Sequence, residues 1–199
     1  MGLDLAYTGG QTLLDPNELA GLKIDSITTR AELDEFEQQN IEEALLWLYR
    51  RRLTVEQLLS AKFIKQLHVR MYGNVWKWAG QFRLTNKNIG VQYPLVGMEL
   101  YKLLDDMKYW LEYSTYDEDE FCIRSKHRLV SIHCFPNGNG RHSRLWADIL
   151  RQQLFGRSYF TWSGHSLANA SQHRSQYIAS LRSADQGDLL PLVTFAKSR

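Results

Sequence analysis

Thirteen residues, Ile132 to Arg144, carry the side chains in this sequence best suited to chemistry. They read Ile132, His133, Cys134, Phe135, Pro136, Asn137, Gly138, Asn139, Gly140, Arg141, His142, Ser143, Arg144. His133 brings an imidazole, whose unperturbed pKa lies close to neutral pH. Gly138, Asn139 and Gly140 bring a turn whose backbone N–H groups can converge on one anion. Arg141 and Arg144 are three apart, so on a helix they share a face beside that turn. A guanidinium fork suits phosphate oxygens better than an ammonium does. An imidazole at the opposite lip can take the proton of an incoming hydroxyl. Base, phosphate cradle and arginine clamps in one run point to nucleotide-dependent group transfer.

Such a run needs rigid elements on both sides. Asp117 to His133 reads as a helix, with acidic residues Asp117 to Glu120 in its first turn and Cys122, Leu129 and Ile132 on an apolar stripe. Phe135-Pro136 is expected to end it, because the residue before a proline is pushed out of the α region. Leu145, Trp146, Ile149, Leu150 and Leu154 then recur at helical spacing, with Gly156 as the stop. Gly138 to Gly140 therefore open the second helix, at the positive end of its dipole. Thr29 and Glu32 match a capping box and open a helix bearing Leu33, Phe36, Ile41, Ala44, Leu45 and Leu48. Thr54 to Tyr72 reads as another, stopped by Gly73. Leu95 to Tyr113 follows, with Met98, Tyr101, Leu104 and Leu111 periodic. Ser166 to Ala184 and Asp188 to Lys197 supply the last two. Asn86 to Val91 reads as a turn plus a short strand, the one convincing β signal. Met1 to Asp25 lacks periodicity and reads as an arm with turns. The expected fold class is mainly α, a helical bundle with one small β-hairpin.

The chain has 199 residues, enough for one domain with a substantial core. A net charge of +2 argues against a nucleic-acid footprint over the whole surface, so no direct nucleic-acid partner is expected. Two cysteines make no disulfide framework and fit a reducing compartment. No signal peptide and no membrane-length apolar run is read, so a cytoplasmic protein without membrane contact is expected.

The run from His133 to Arg144 resembles the pattern HxFx(D/E)GNGRxxR of the Fic family. His133, Phe135, Gly138, Asn139, Gly140, Arg141 and Arg144 all stand in register. Trp78 to Arg83 resembles the segment before the family's flap. Tyr177 to Leu181 and Gly187 to Leu192 resemble its C-terminal helices. The opening Gly2-Leu3-Asp4-Leu5 looks most like the group called mobile mystery protein B. The resemblance implies a single Fic domain over 1–199, with an arm and first helix over 1–53 and the core over 54–199. It implies an AMP transferase that uses ATP with Mg²⁺ or Mn²⁺ and modifies a Ser, Thr or Tyr hydroxyl of a protein substrate. His133 would be the base. Gly138, Asn139, Gly140, Arg141 and Arg144 would bind the nucleotide. Asn88, Ile89 and Gly90 would form the flap that docks an extended target segment. The resemblance also allows a companion regulator or antitoxin, and a homodimer.

Asn137 departs from the pattern, which has a metal-holding carboxylate there. Its amide carbonyl brings no charge, so it is read either as a weak metal ligand or as a plain turn residue. Many family members also carry an inhibitory helix, (S/T)xxxE(G/N), whose glutamate pairs with the second arginine. In the helix opened by Thr29, Gln39 before Asn40 falls at that glutamate's place, so Gln39 is read either as part of an ordinary solvated helix face or, on the inhibitory reading, as the contact to Arg144. Two other readings stay open: phosphoryl transfer, as in the related Doc proteins, and a catalytically weak nucleotide-binding module. Doc proteins depart from Gly-Asn-Gly in the nest, which this chain keeps. Cys134 beside His133 is a poor nucleophile candidate, since chain neighbours seldom face one another. His127 and His142 read as surface or packing residues, and no coherent zinc ligand set is visible.

Overall fold

The computed structural model describes residues 12–163 and 170–198. Within them lie α1 (Pro16–Leu19), α2 (Arg30–Tyr49), α3 (Val55–Leu58), α4 (Ala61–Tyr72), α5 (Val96–Glu112), α6 (Glu118–Ile132), α7 (Asn139–Phe155), α8 (Ala170–Asp185) and α9 (Leu190–Lys197), with a 3₁₀ turn at Tyr93–Leu95. The opening Gly2 to Leu5 and the expected helical residues Ser166 to Asn169 lie outside the described residues.

The pair α6 and α7 forms the centre, with α5 and α9 against α6 and α4 against α7. Asp117 starts α6 by accepting the Glu120 N–H at 2.8 Å, and three acidic residues in the first turn complement the dipole. Leu145, Trp146, Ala147, Ile149 and Leu150 of α7 are buried. Burying a large apolar side chain contributes roughly 1.5–3 kcal/mol. Asp119 receives Arg151 Nε of α7 at 2.7 Å and Lys197 Nζ of α9 at 2.7 Å, tying three helices at one end. Among the described residues no helix is long and apolar enough to cross a membrane.

Four details differ from the sequence expectations. Helix α6 ends at Ile132, before Phe135-Pro136, because His133 adopts the left-handed conformation (φ 58°, ψ 62°). The helix expected over Thr54 to Tyr72 is two helices. Ser60 starts the second by accepting the Phe63 N–H at 3.1 Å, and its own hydroxyl donates to the Gln57 carbonyl at 2.7 Å. Helix α5 buries Val96, Leu100, Leu103, Leu104 and Met107, whereas Met98 and Tyr101 are exposed, so its face is rotated from the expected one.

The expected β-hairpin forms no ladder. Residues 84–91 run as a bend-rich loop, and the isolated bridge among the described residues joins Leu22 to Trp76. The loop's backbone groups pair away from itself instead. Val91 N–H donates to the Ile132 carbonyl at 3.4 Å, and the Thr85 and Val91 carbonyls accept from the Arg83 guanidinium. Paired in that direction, they have no need of each other.

Candidate active site

His133 sits where α6 stops. Its left-handed backbone is a conformation that costs a non-glycine residue of order 1–3 kcal/mol and persists only when neighbours impose it. Arg83 is the neighbour. It is 1% exposed and spends its guanidinium on backbone carbonyls: Nε to His133 at 2.6 Å, Nη1 to Thr85 at 2.8 Å, Nη2 to Ile132 at 3.4 Å and to Val91. The last carbonyls of a helix lack donors and favour a cation, and Arg83 supplies both needs. Gly90 passes over the same point. A Cβ there would stand 2.6 Å from His133 Cβ and 3.2 Å from the Ile132 carbonyl, so only glycine fits.

The His133 imidazole is buried, with Nε2 3.1 Å from the Thr12 hydroxyl. Nδ1 has no partner at hydrogen-bond geometry, and the Val130 carbonyl is the acceptor that weakly favours a proton on the ring. A hydrogen on Nδ1 leaves Nε2 bare, able to accept from a hydroxyl. Burial first, then the charges of Arg83 and Lys87, push the His133 pKa down to about 4. The ring is therefore neutral at neutral pH, the form a general base needs.

The loop that follows is stapled from within. Asn139 Oδ1 accepts the Phe135 N–H at 3.0 Å, and its Nδ2 donates to the Phe135 carbonyl at 2.8 Å. Both ends of the Asn139 amide are thus committed to fixing the turn. Gly138 has φ 77°, and a Cβ there would meet the Tyr72 ring at 2.6 Å, so conformation and space both demand glycine. At Gly140 a Cβ would meet nothing nearer than Tyr177 Oη at 3.9 Å. Its bare backbone leaves room above the first turn of α7. No side chain caps that helix, so its first N–H groups point at an uncapped end.

His68 fixes the loop from outside, and motif reading passed it over. Its Nδ1 accepts the Gly80 N–H at 3.1 Å, so Nε2 carries the hydrogen and donates to the Asn137 carbonyl at 3.0 Å. The ring lies 3.8 Å from that of Phe135. Full burial lowers its pKa well below the usual range and holds this neutral tautomer.

The two arginines have different neighbours. Arg141 Nη2 pairs with Glu37 Oε2 at 2.5 Å, and Glu37 Oε1 accepts Trp76 Nε1–H at 2.7 Å. The Arg144 guanidinium lies 5.3 Å from the Tyr177 ring centroid. Tyr177 Oη accepts from Lys126 Nζ, buried in α6, at 2.6 Å. Gln39 is exposed, as the solvated-face reading has it, and is not the residue that reaches the site. It stands two positions past Glu37, about 200° round the helix. The carboxylate that pairs with one of these two arginines among the described residues is Glu37, and the arginine is Arg141. The buried stripe of α2 runs Leu33, Glu37, Asn40, Ala44, Leu48, so an acid in the period of Leu33, Ala44 and Leu48 was the available signal.

Asn137 Oδ1 accepts the Gly138 N–H at 2.7 Å, which is the turn-residue use of asparagine. It offers one neutral oxygen, already bonded. Among the described residues no three His, Cys, Asp or Glu stand together to hold a metal ion. The side chains around the loop do not by themselves fit Mg²⁺. Cys134 is buried with its thiol pushed up to about 12, chiefly by that burial, so it carries no thiolate. His142 Nε2 donates to the Ile64 carbonyl at 3.0 Å, and His127 meets Asp185 at 2.8 Å. Both are packing residues. Of the expected flap, Gly90 lies against His133, while Asn88 and Ile89 face solvent.

The sequence profile of the Fic/DOC family matches residues 58–150, which run from the end of α3 into α7 and include the whole loop. It is to the Fic/DOC family that this site-bearing segment, just under half of the chain, is similar. The protein adenylyltransferase Fic of Drosophila grimshawi is 31% identical over 141 residues, 69% of this chain and 28% of that protein. The chain spans little over a quarter of that relative's length. Fic-1 from C. elegans superposes with a TM-score of 0.68 at 27% identity, covering 89% of this chain and 51% of that one. BepC from Bartonella tribocorum, solved with bound AMPPNP, has the same fold: TM-score 0.66, 18% identity, 96% of this chain and 93% of that one.

Proposed function

We propose that this chain is a protein adenylyltransferase, moving AMP from ATP to a Ser, Thr or Tyr hydroxyl of a protein. The observation that carries the reading is the neutral His133, locked in front of an uncapped helix N-terminus with Arg141 and Arg144 on the adjoining face. The names of the relatives and the AMPPNP in the BepC structure support it.

The triphosphate lies on the first N–H groups of α7, with Arg141 on the β-phosphate and Arg144 on the γ-phosphate. His133 Nε2 takes the hydroxyl proton, and the freed oxygen attacks the α-phosphorus. The bond from that phosphorus to the bridging oxygen breaks, and pyrophosphate leaves. Catalysis is positioning and charge stabilisation, with no covalent enzyme intermediate. Glu37 competes with ATP for Arg141. A hydrogen bond to a charged group contributes about 1.5–3 kcal/mol, so Glu37→Gln should raise ATP affinity on the order of tenfold or more. Equilibrium titration with a non-hydrolysable ATP analogue checks this, and an unchanged or lower affinity removes Glu37 from the competing role.

A nucleotide-binding module is the second reading, favoured by the neutral Asn137. Asn137→Asp separates the two. A detuned enzyme gains Mg²⁺-dependent labelling with that carboxylate. A module binds ATP and labels nothing with either residue.

A further inference from the structure

We infer that Thr12 is an internal acceptor for the transferred group, so that the chain's own N-terminal arm occupies the place of a protein substrate. Thr12 Oγ1 stands 3.1 Å from His133 Nε2 across 121 residues of sequence, with both side chains buried. That is the contact a general base makes with the hydroxyl it activates. Nothing local puts it there. The arm is brought to the site by contacts further along.

Those contacts lie on the flap loop. Asp15 Oδ2 accepts the Thr85 hydroxyl at 2.6 Å and Lys87 Nζ at 2.9 Å, and Glu18 Oε2 accepts Lys87 Nζ at 2.5 Å. Trp78 Nε1 donates to the Glu18 carbonyl at 2.9 Å. Beyond them, Lys23 N–H donates to the Val75 carbonyl and Lys77 N–H to the Gly21 carbonyl, each at 2.8 Å. Thr12 and Leu14 are buried while Leu13 is 55% exposed, the alternation of an extended segment. An extended segment fastened beside the flap, with one hydroxyl on the base, is how a bound acceptor peptide would lie.

The step rests on the adenylyltransferase reading above, with ATP as the co-reactant. His133 Nε2 accepts the Thr12 proton, and Thr12 Oγ1 bonds to the α-phosphorus. The bond to the bridging oxygen breaks, pyrophosphate carries off the electron pair, and an adenylate ester remains on Thr12. No redox change occurs. Because base and acceptor share one chain, the reaction is first order in protein.

The full chain incubated with ATP and Mg²⁺ or Mn²⁺, then digested and mapped by mass spectrometry, tests this. One adenylate is expected on Thr12, formed with a rate constant that does not change on dilution. Thr12→Ser keeps it. Thr12→Val, equal in shape but without the hydroxyl, loses it completely while still binding a non-hydrolysable ATP analogue. Adenylate on other residues or proteins with Thr12 bare overturns the acceptor assignment and leaves the adenylyltransferase reading standing. Phosphate rather than adenylate on Thr12 supports the acceptor and overturns the AMP reading. No modification anywhere, with ATP bound, overturns both.

Discussion

At the residue scale, His133, the proposed base, has its protonation state set before any substrate arrives. Burial and the cations Arg83 and Lys87 hold its pKa at about 4, so it stays neutral through the mildly acid range. An imidazole at the ordinary value near 6.5 would be roughly three-quarters protonated at pH 6. Labelling at pH 6 should therefore stay close to that at pH 7.5, with the acid limb appearing only as pH falls toward about 4. A limb near 6.5 in the initial-rate profile would contradict that environment. His133→Ala should lower the rate by about 10²–10⁴, the usual worth of a general base, with ATP affinity retained. Gly138 is as restricted for a different reason. Gly138→Ala forces a left-handed backbone, costing ~1–2 kcal/mol, onto a Cβ that meets the Tyr72 ring. A lower urea midpoint together with weaker nucleotide binding is the expected result.

At the scale of elements, one unit carries the candidate site: α6, a stapled loop and α7. That unit was legible in the sequence because its signals are local. Asp117 caps α6, Gly156 ends α7, and the glycines between fall at the positions of turn and nest. The groups that hold the unit in place were not legible. Arg83 lies 50 residues from His133, His68 lies 69 from Asn137, and Glu37 lies 104 from Arg141. Only the fold brings such partners together. The face of α5 was misjudged because Met98 and Tyr101 are apolar residues left at the surface, which a periodicity count cannot tell from core. The hairpin was misjudged because Arg83 supplies donors that a partner strand would have supplied. Arg83→Met should accordingly do more than destabilise. Each carbonyl left without a donor costs about 1–3 kcal/mol, and the left-handed turn at His133 loses its anchor. The rate should fall further than the lost fraction of folded protein explains, measured by labelling alongside the urea midpoint.

At the scale of the whole molecule, buried titratable groups set how stability follows pH. His133 and His142 both have pKa values lowered to about 4, each by burial above all. The unfolded chain binds protons there at about 6.5, so stability is lost as pH falls from that value toward 4. Asp148 acts in the opposite sense. Burial raises its carboxyl to about 7, although it accepts the Phe160 N–H at 3.0 Å and Trp162 Nε1–H. Its contribution is present below the ordinary value of 3.8 and is lost as pH rises through 7. Asp148→Asn should therefore steepen the rise in stability between pH 4 and 6.5 and flatten the decline toward 7. Urea midpoints across that range check the sign.

The central claim is transfer of the α-phosphate with its nucleoside. The direct measurement is retention of label by the protein after incubation with Mg²⁺ and ATP labelled either at the α- or at the γ-phosphate, with His133→Ala alongside. Label kept from the α-position, none kept from the γ-position, and none in the His133 variant is the predicted result. Label kept from the γ-phosphate, or equal α-label with and without His133, would contradict it.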